Sequence, residues 1–298
     1  MQKVLICEKE PEIIVDYLES LQAQFDVIPF GAACNHDDIV GIVVRSAPVY
    51  TSEYLSNFSN LKYIFRVGVG TDNIDVEYCK KHWIQIVINP GANSHSVADL
   101  ALWGTLTLLR RTKLLMQDLS VWKFSSRFTY QWNELVSKVV TIVWFGHVGK
   151  LVYNRLKAFG VQDFMIVDPF LDRETIEAFD WCAKCESLEE VIWDTDLLYL
   201  HLPLNEHTRD TINYALLSQT KSNIQIINLS RWWIIKESDL YNFLKTNTQA
   251  WAYLDVWEWD PEFTEIIKQL MQLDNCLISP HLGSVTEEAT KKMHSFQL

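Results

Sequence analysis

Short apolar runs alternate with segments of helical spacing along the chain. In the first third, five runs predict buried strands, at residues 3–7, 25–29, 39–44, 61–67 and 84–88. Residues 11–24 are amphipathic and predict a helix after the first of these strands. Strands that alternate with helices form parallel sheets, so this part of the chain predicts an α/β unit.

The same alternation resumes near residue 138. Six further runs predict strands at 139–143, 164–167, 197–201, 224–228, 251–256 and 276–279, and helical spacing is clearest at 150–159, 209–219 and 237–245. Strands joined by helical crossovers in this way predict a doubly wound sheet. Between the two units, residues 96–115 form one long apolar segment, which predicts a single helix that connects domains or is buried in a dimer.

The stretch 138–168 has the strand–turn–helix–strand order that a dinucleotide site requires. Its turn, Trp144 to Gly149, would bring backbone amides and a helix N-terminus up to a pyrophosphate. Asp168 ends the second strand, where an acid would hydrogen-bond the ribose hydroxyls and favour NAD over NADP. The G-x-G-x-x-G fingerprint is incomplete, because Trp144 takes the place of the first glycine. Taken alone, the remaining glycines fit any βαβ turn.

Length and charge limit the class of protein. With 298 residues the chain can bury a large core, and two domains are expected. The net charge of -12 argues against nucleic acid or an anionic membrane as the main partner. No apolar run approaches the roughly 20 residues that span a bilayer, and the N-terminus turns acidic too early for a signal peptide. We therefore expect a cytoplasmic protein.

In that compartment the six cysteines are expected to be reduced thiols. Cys182 and Cys185 form a C-x-x-C pair, but no second pair of ligands lies near them in the sequence. We interpret them as a surface or half-buried thiol pair, and we predict no metal site.

Polar loops follow several predicted strands directly, at the sheet edge where ligands bind in doubly wound folds. Three of them carry an arginine (Arg231), a carboxylate (within Asp255–Asp260) and a histidine (His281). Arginine can fix the carboxylate of a 2-oxo acid and polarise its carbonyl group. Histidine can exchange the hydroxyl proton near neutral pH, and a carboxylate beside it stabilises the imidazolium. This set predicts hydride transfer to or from a small 2-oxo or 2-hydroxy acid.

Together these segments resemble the D-isomer-specific 2-hydroxyacid dehydrogenases, the family that includes phosphoglycerate dehydrogenase. The resemblance covers nearly the whole chain, and its most specific segments are GVGTDNID (68–75), PGANSHSVADLAL (90–102), FGHVGK (145–150), LHLPLNEHTRDTIN (200–213), INLSR (227–231), LDVWE (254–258) and SPHLGSVTEEA (279–289). It implies an NAD-dependent oxidoreductase that interconverts a 2-hydroxy acid and a 2-oxo acid. The first candidate substrate, by resemblance only, is 3-phosphoglycerate.

The resemblance also implies an α/β fold of two Rossmann-like parallel-sheet domains. The NAD domain, residues 96–279, would be inserted into a flavodoxin-like substrate domain formed by residues 1–95 and 280–298. A homodimer through the 96–115 region is expected for the family.

The resemblance gives each candidate site residue a role. Arg231 would be the catalytic arginine and His281 the acid/base, while Asp260 stands where the family has a glutamate and is one methylene shorter. Asp168 would bind the ribose and Asp255 would face the nicotinamide. Other residues would line the cofactor: Gly146, His147, Val148, Gly149, His201, Pro203, Thr208 and Asn228. The amides of Val67, Gly68, Val69 and Gly70 would receive the substrate carboxylate, and Arg45 would add a cation.

Tryptophan often stands in this chain where the resemblance calls for glycine. The sequence has 10 glycines and 12 tryptophans, whereas glycine usually makes up about 7% of residues. Many of the tryptophans stand where the resemblance requires glycine: Trp83, Trp132, Trp144, Trp181, Trp232, Trp233, Trp251 and Trp259. Trp122 and Trp257 stand where an aromatic residue is ordinary. An indole at Trp144 would lie where the adenosine and pyrophosphate approach.

Two accounts of the tryptophans are open at this point. In the first, they are genuine, and the chain is a catalytically impaired binding or regulatory protein on the same fold. In the second, the codon UGA, which some bacteria read as glycine and other genetic codes as tryptophan, has been translated with the wrong table. The depletion of glycine and the placement of the excess tryptophan favour the second account, which UGG codons throughout would exclude.

Overall fold

The computed structural model describes residues 1–9, 13–46, 48–257, 259–260 and 262–297, without the side chains of residues 126, 127, 259, 260, 262 and 263. The chain forms two compact units, one of residues 1–95 with 284–298 and one of residues 96–283. Each is built on a parallel sheet with helices between its strands. This confirms the predicted α/β fold class.

The first unit has a five-stranded sheet in the order β2–β1–β3–β4–β5, which is the flavodoxin-like order. Its strands are β1 (Lys3–Ile6), β2 (Asp26–Ile28), β3 (Ile39–Val44), β4 (Tyr63–Arg66) and β5 (Gln85–Val87). Its helices are α1 (Glu19–Gln22), α2 (Ser52–Leu55), α3 (Val76–Lys81) and, from the C-terminal part of the chain, α11 (Glu287–His294). The central strand β3 is buried along its whole length, because apolar clusters cover both faces of the sheet.

The second unit has a seven-stranded sheet in the order β14–β11–β10–β9–β6–β7–β8. Its strands are β6 (Val140–Val143), β7 (Phe164–Val167), β8 (Cys182–Cys185), β9 (Leu197–Leu200), β10 (Gln225–Asn228), β11 (Trp251–Leu254) and β14 (Cys276–Ile278). A separate hairpin pairs β12 (Trp259–Asp260) with β13 (Glu262–Phe263). The helices are α4 (Ser94–Leu109), α5 (Thr112–Ser120), α6 (His147–Ala158), α7 (Arg173–Glu177), α8 (Tyr214–Leu217), α9 (Glu237–Thr246) and α10 (Glu265–Gln272).

The order of the second sheet reverses between β6 and β9, which pair directly. In open doubly wound sheets a ligand binds in the crevice at such a switch point, beyond the C-terminal ends of the strands. The loops after β6 and β9 are therefore where the fold itself favours a ligand.

Three features of the second unit differ from the prediction. The predicted helix 96–115 is two helices, α4 and α5, separated by Arg111 in a left-handed conformation (φ 47). Burial of Arg111 explains the break, because its guanidinium lies 4.5 Å from the Trp251 ring and hydrogen-bonds Gln249. The predicted helix 209–219 is confined to α8, and the edge strand β8 was not predicted.

Helices α3 and α5 end in the same type of turn, and in each turn the left-handed residue is a tryptophan. After α3, the Trp83 amide donates to Lys80 O and the Ile84 amide to Cys79 O, which is a Schellman motif. After α5, Trp122 (φ 61) and Lys123 make the equivalent bonds. The expectation that an aromatic residue is ordinary at Trp122 is therefore wrong, since this position requires a left-handed backbone.

Candidate active site

The turn that follows β6 approaches helix α6 very closely. Gly146 is the N-cap residue, and the exposed His147 and half-buried Val148 begin the helix with no side chain capping it. A Cβ atom on Gly149 would come within 2.6 Å of the Trp144 carbonyl oxygen. Only glycine permits this helix–strand spacing, which is the role of the third glycine in a dinucleotide fingerprint. The backbone therefore fits a pyrophosphate at the N-terminus of α6.

The side chain of Trp144 does not fit the same group. Its indole Cδ1 lies 3.4 Å from the position that a Cβ atom on Gly146 would take. The ring also packs edge-on against Phe170, with 5.2 Å between ring centroids. The indole therefore lies beside Gly146 and Phe170, at the turn that a dinucleotide would have to approach.

Asp168 follows β7 and is buried. Its Oδ2 accepts a hydrogen bond from the Phe145 amide (2.8 Å), and its Oδ1 accepts one from the Phe170 amide (2.9 Å). The carboxylate thus ties the turn after β6 to the loop after β7. Its predicted contact with a ribose would use the remaining lone pairs, and it stays a prediction.

His201 follows β9, and its amide continues the sheet by donating to Val143 O. Its Nε2 atom is buried without a hydrogen-bond partner among the described residues, and burial lowers the pKa of the imidazole to about 4. In the same loop, the Thr208 hydroxyl donates to Pro203 O (2.7 Å) and accepts from the Asn205 amide (2.8 Å). Thr208 therefore holds the loop together, and its predicted contact with the cofactor stays a prediction, as does that of the exposed Pro203.

Asn228, the last residue of β10, builds the turn that presents Arg231. Its Oδ1 accepts from the amide and the hydroxyl of Ser230, and its Nδ2 donates to Arg231 O (3.0 Å). Three hydrogen bonds tie the side chain of Asn228 to this turn, and its predicted contact with a cofactor stays a prediction. Arg231 is half-buried, and its Nη1 donates to Ser230 O (2.7 Å).

Asp255 follows β11 and builds the turn that presents His281. The carboxylate is buried and accepts from the Ser279 hydroxyl (2.5 Å) and from the amides of Leu282 and Gly283 (2.7 Å each). Burial raises its pKa, while these donors and a positive charge on His281 act in the opposite direction. His281 itself is exposed and left-handed (φ 56). Such strained backbone persists where surrounding bonds impose it, often at functional sites.

One path of hydrogen bonds joins the arginine and histidine turns. The Asn228 side chain holds Arg231 O, the Asp255 amide donates to Asn228 O (3.0 Å), and the Asp255 carboxylate holds the turn of His281. The three turns follow β10, β11 and β14, which are neighbours in the sheet. Arg231 and His281 are therefore presented at the same end of the sheet, on turns that flank the turn of Asp255. Asp260 lies in the two-residue strand β12, and its side chain is outside the described residues.

Ser279 was not predicted as a site residue. Its hydroxyl bonds both the Asp255 carboxylate and the Tyr253 hydroxyl (2.8 Å), and its carbonyl accepts from the Trp257 indole (3.1 Å). Ser279 stands directly after β14, just as Asp255 stands directly after β11. This position is a signal that could have identified it.

In the first unit, the predicted carboxylate-binding amides lie in the loop after β4. The Val67 amide does not serve this role, because it donates to Val44 O (2.8 Å) in the sheet. The prediction that backbone amides receive the substrate carboxylate therefore stands for Gly68, Val69 and Gly70. Gly68 is required for the loop, because its φ of 131 is a backbone conformation that residues with a side chain rarely adopt.

Arg45 follows β3 and lies beside a carboxylate that the sequence gave no reason to select. Glu8, which follows β1, is buried and accepts from the Arg45 amide and from the Tyr50 hydroxyl (3.0 Å). Burial, and next the negative charge of Glu8, raise the pKa of Tyr50, so its hydroxyl stays protonated. Glu8 therefore fixes the backbone at Arg45.

Two further expectations concern the cysteine pair and helices that could span a membrane. Cys182 and Cys185 lie on one strand, β8, three positions apart, so their side chains point to opposite faces of the sheet. Among the helices of the described ranges, none combines the length and apolar character needed to cross a bilayer.

Comparison with known proteins agrees with this geometry. Residues 102–283 match the model of the NAD binding domain of D-isomer specific 2-hydroxyacid dehydrogenases. This range contains the turn after β6 and all the turns that present Arg231, Asp255 and His281. The second unit is therefore an NAD-binding domain.

Two curated relatives match nearly the whole chain. A hydroxypyruvate reductase from Thermotoga maritima is 32% identical over 98% of this chain and 90% of the relative. A D-3-phosphoglycerate dehydrogenase from Bacillus subtilis is 30% identical over 97% of this chain, but the chain spans only 54% of that enzyme.

A solved structure shows the same architecture. The D-lactate dehydrogenase from Aquifex aeolicus, complexed with NAD and lactic acid, superposes with a TM-score of 0.87 at 25% identity, covering 98% of this chain and 92% of that one. These comparisons confirm the resemblance drawn from the sequence. The chain belongs to the D-isomer specific 2-hydroxyacid dehydrogenases, NAD-dependent oxidoreductases that act on a CH–OH group.

Proposed function

We propose that this chain interconverts a small D-2-hydroxy acid and its 2-oxo acid, using Arg231 and His281 as catalytic residues with Asp260 in support. The observation that carries this proposal is the hydrogen-bonded path from the Arg231 turn through Asn228 and Asp255 to the His281 turn. A buried path of this kind presets the spacing of a cation and a proton-transfer group, which is what positioning for catalysis requires.

Each residue has a separate task. Arg231 binds the substrate carboxylate and polarises the reacting carbonyl oxygen. His281 takes the hydroxyl proton during oxidation and returns it during reduction, and Asp260 stabilises the protonated imidazole. NAD, when bound, accepts or supplies the hydride. Gly146, Gly149 and the first turn of α6 bind the pyrophosphate, Asp168 binds the ribose, and His201 lines the nicotinamide end as a neutral ring.

The test is a steady-state assay of NADH oxidation by 2-oxo acids. Arg231→Gln and His281→Asn are each expected to lower kcat/KM by about 10²–10⁴-fold, the usual worth of a positioned acid–base group. NADH affinity should be unchanged in both. His207→Asn and Arg173→Gln are the matched controls, because both side chains are exposed and pair only with surface carboxylates. Full activity of either catalytic variant would overturn the assignment.

The substrate is proposed by chemistry and by relatives. A phosphate on 3-phosphoglycerate needs a cation, and Arg45 is the residue that the sequence offers for it. Hydroxypyruvate needs none, and the relative that this chain covers almost end to end is a hydroxypyruvate reductase. We therefore propose a small unphosphorylated 2-oxo acid ahead of the phosphorylated one. A kcat/KM for 3-phosphohydroxypyruvate above that for hydroxypyruvate, lost in Arg45→Gln, would reverse this order.

We also propose a cytoplasmic homodimer. The segment from α5 onward exposes five large apolar side chains besides Trp122: Met116, Leu119, Val121, Phe124 and Phe128. Exposed apolar clusters of this kind mark interaction surfaces. Light scattering should give the mass of two chains, and Phe128→Asp with Met116→Lys should give one. A monomeric parent protein would exclude the dimer.

A second candidate function rests on Trp144. Because its indole lies at the turn after β6, the tryptophan-containing chain could serve as a binding or regulatory protein that has lost turnover. The same assay, run on the protein from its native cell, separates the candidates: a stable dimer that keeps tryptophan at 144, binds 2-oxo acids and neither binds nor oxidises NADH would favour regulation.

A further inference from the structure

The backbone at four tryptophans has a conformation that tryptophan rarely adopts. Trp83, Trp122, Trp144 and Trp181 have φ of 58, 61, 77 and 59. Four of the 12 tryptophans are thus left-handed, whereas only three of all the other non-glycine residues in the described ranges are: Arg111, Asp210 and His281. Left-handed backbone brings Cβ too close to the following carbonyl oxygen, and glycine alone escapes this penalty.

Helix α6 provides an internal comparison. It ends in the same Schellman motif as α3 and α5, with amide bonds from Gly160 to Lys157 O and from Val161 to Leu156 O. The left-handed residue there is glycine (φ 91). Three helices of one chain therefore end with the same bonds, and the equivalent positions hold Gly160, Trp83 and Trp122. Glycine is the usual residue at this position.

Three of these four indoles are exposed and gain little that would offset the penalty, while Trp144 is half-buried. Trp83 is 91% exposed, Trp122 is 80% exposed and Trp181 is 49% exposed. A buried indole can contribute much stabilisation, but an exposed one contributes little. Trp257 is a contrast: it is half-buried, its φ is not left-handed, and its Nε1 donates to Ser279 O.

We propose that Trp83, Trp122, Trp144 and Trp181 are encoded by UGA codons and are glycine in the protein made by its native cell. The inference rests on backbone conformation at all four residues and on exposure at Trp83, Trp122 and Trp181, not on the proposed activity. At 144 it has a consequence for cofactor binding. Glycine there completes the three-glycine fingerprint with Gly146 and Gly149 and removes the indole from the turn.

The first test reads the codons. UGA at all four positions, with UGG at Trp257, is the expected result, and UGG at the four would overturn the proposal. The second test reads the residue itself, by mass spectrometry of peptides from the protein purified from its native cell. Glycine at these positions supports the proposal, and tryptophan at them refutes it even if the codons are UGA.

A third test needs no native cell. Trp83→Gly and Trp122→Gly in the tryptophan-containing chain should each lower the unfolding equilibrium constant by roughly tenfold, because each removes a left-handed side chain. Trp257→Gly is the control and should raise that constant, since it deletes a packed indole with a hydrogen bond. Loss of stability in Trp83→Gly and Trp122→Gly, comparable to that in Trp257→Gly, would show that these indoles are genuine parts of the fold.

Discussion

The spacing of strand β6 and helix α6 yields a prediction with a control in the same turn. Gly149→Ala would place a Cβ atom 2.6 Å from the Trp144 carbonyl oxygen, well inside van der Waals contact, and 3.3 Å from the Ile142 side chain. Because the close neighbour is backbone, it cannot rotate away, so helix and strand must separate. Gly146→Ala meets only the Trp144 ring, at 3.4 Å, and its φ of -78 is open to any residue.

Two effects oppose each other at Gly149. Alanine favours a helix over glycine by about 1 kcal/mol. Forcing a methyl group into a packed site costs typically 1–3 kcal/mol, and more where only backbone can move. The steric overlap should outweigh the gain in helix propensity, so we expect Gly149→Ala to lower the unfolding free energy by about 1–2 kcal/mol. Gly146→Ala should change it by less than about 0.5 kcal/mol.

The assay is urea denaturation followed by tryptophan fluorescence, with NADH titration of each variant. Gly149→Ala should also weaken NADH binding at least tenfold, because the amides of the first turn move away from the pyrophosphate position. If Gly149→Ala is as stable as the parent or more stable, helix propensity outweighs the overlap. The close approach of α6 to β6 then does not require glycine at position 149.

Three further predictions follow from the site. Asp255→Asn should lower the unfolding free energy by about 1–3 kcal/mol and lower kcat more than NADH affinity, because its new NH₂ group cannot accept from the Gly283 amide. The control is Asp99→Asn, because Asp99 is exposed and forms a surface ion pair with Arg155. Asn228→Ala should lower kcat/KM for the 2-oxo acid while leaving the urea m-value unchanged, since it frees Arg231 O without opening the sheet; an unchanged kcat/KM would show that Asn228 does not position Arg231. Burial lowers the pKa of His201 to about 4, so the folded chain binds fewer protons than the unfolded chain between about pH 4 and 6.5. The unfolding free energy should therefore fall as the pH drops through this range, by up to ~1.4 kcal/mol per pH unit. His201→Gln should remove that part of the slope in urea titrations at several pH values, and an unaltered slope would assign the acid sensitivity to another group such as His294, whose pKa is also lowered by burial.

The strands were predictable because both sheets are parallel and covered on both faces. β6, β9 and β11 are buried at every position, so each appears in the sequence as a continuous apolar run. β8 was missed because its sequence, CAKC, has a lysine among small residues and only its first position is buried. It therefore leaves no continuous run of large apolar residues.

Breaks inside helices were harder to predict, because tertiary contacts cause them. The segment 96–115 has helical spacing throughout, yet the buried guanidinium of Arg111 stops α4 and starts α5. Likewise, the sequence placed the Val67 amide among the substrate ligands, although the sheet already uses it. Bonds between residues distant in sequence decided both.

The candidate site was found through residues that follow strands, and its supports were not. Arg231 and His281 stand out as charged or titratable groups after apolar runs. Asp255 and Asn228 were selected as cofactor ligands, but their side chains hold the turns that carry Arg231 and His281. A polar side chain that bonds backbone amides looks the same in sequence as one that binds a ligand.

NADH titration of two chains, one with tryptophan and one with glycine at position 144, tests the central claim most directly. Energy transfer from tryptophan to the bound nicotinamide reports binding. The account predicts micromolar binding to the glycine chain and binding at least tenfold weaker in the tryptophan chain. Absence of binding to both would contradict an NAD site at the turn after β6, and equal binding to both would contradict the position assigned to the Trp144 indole.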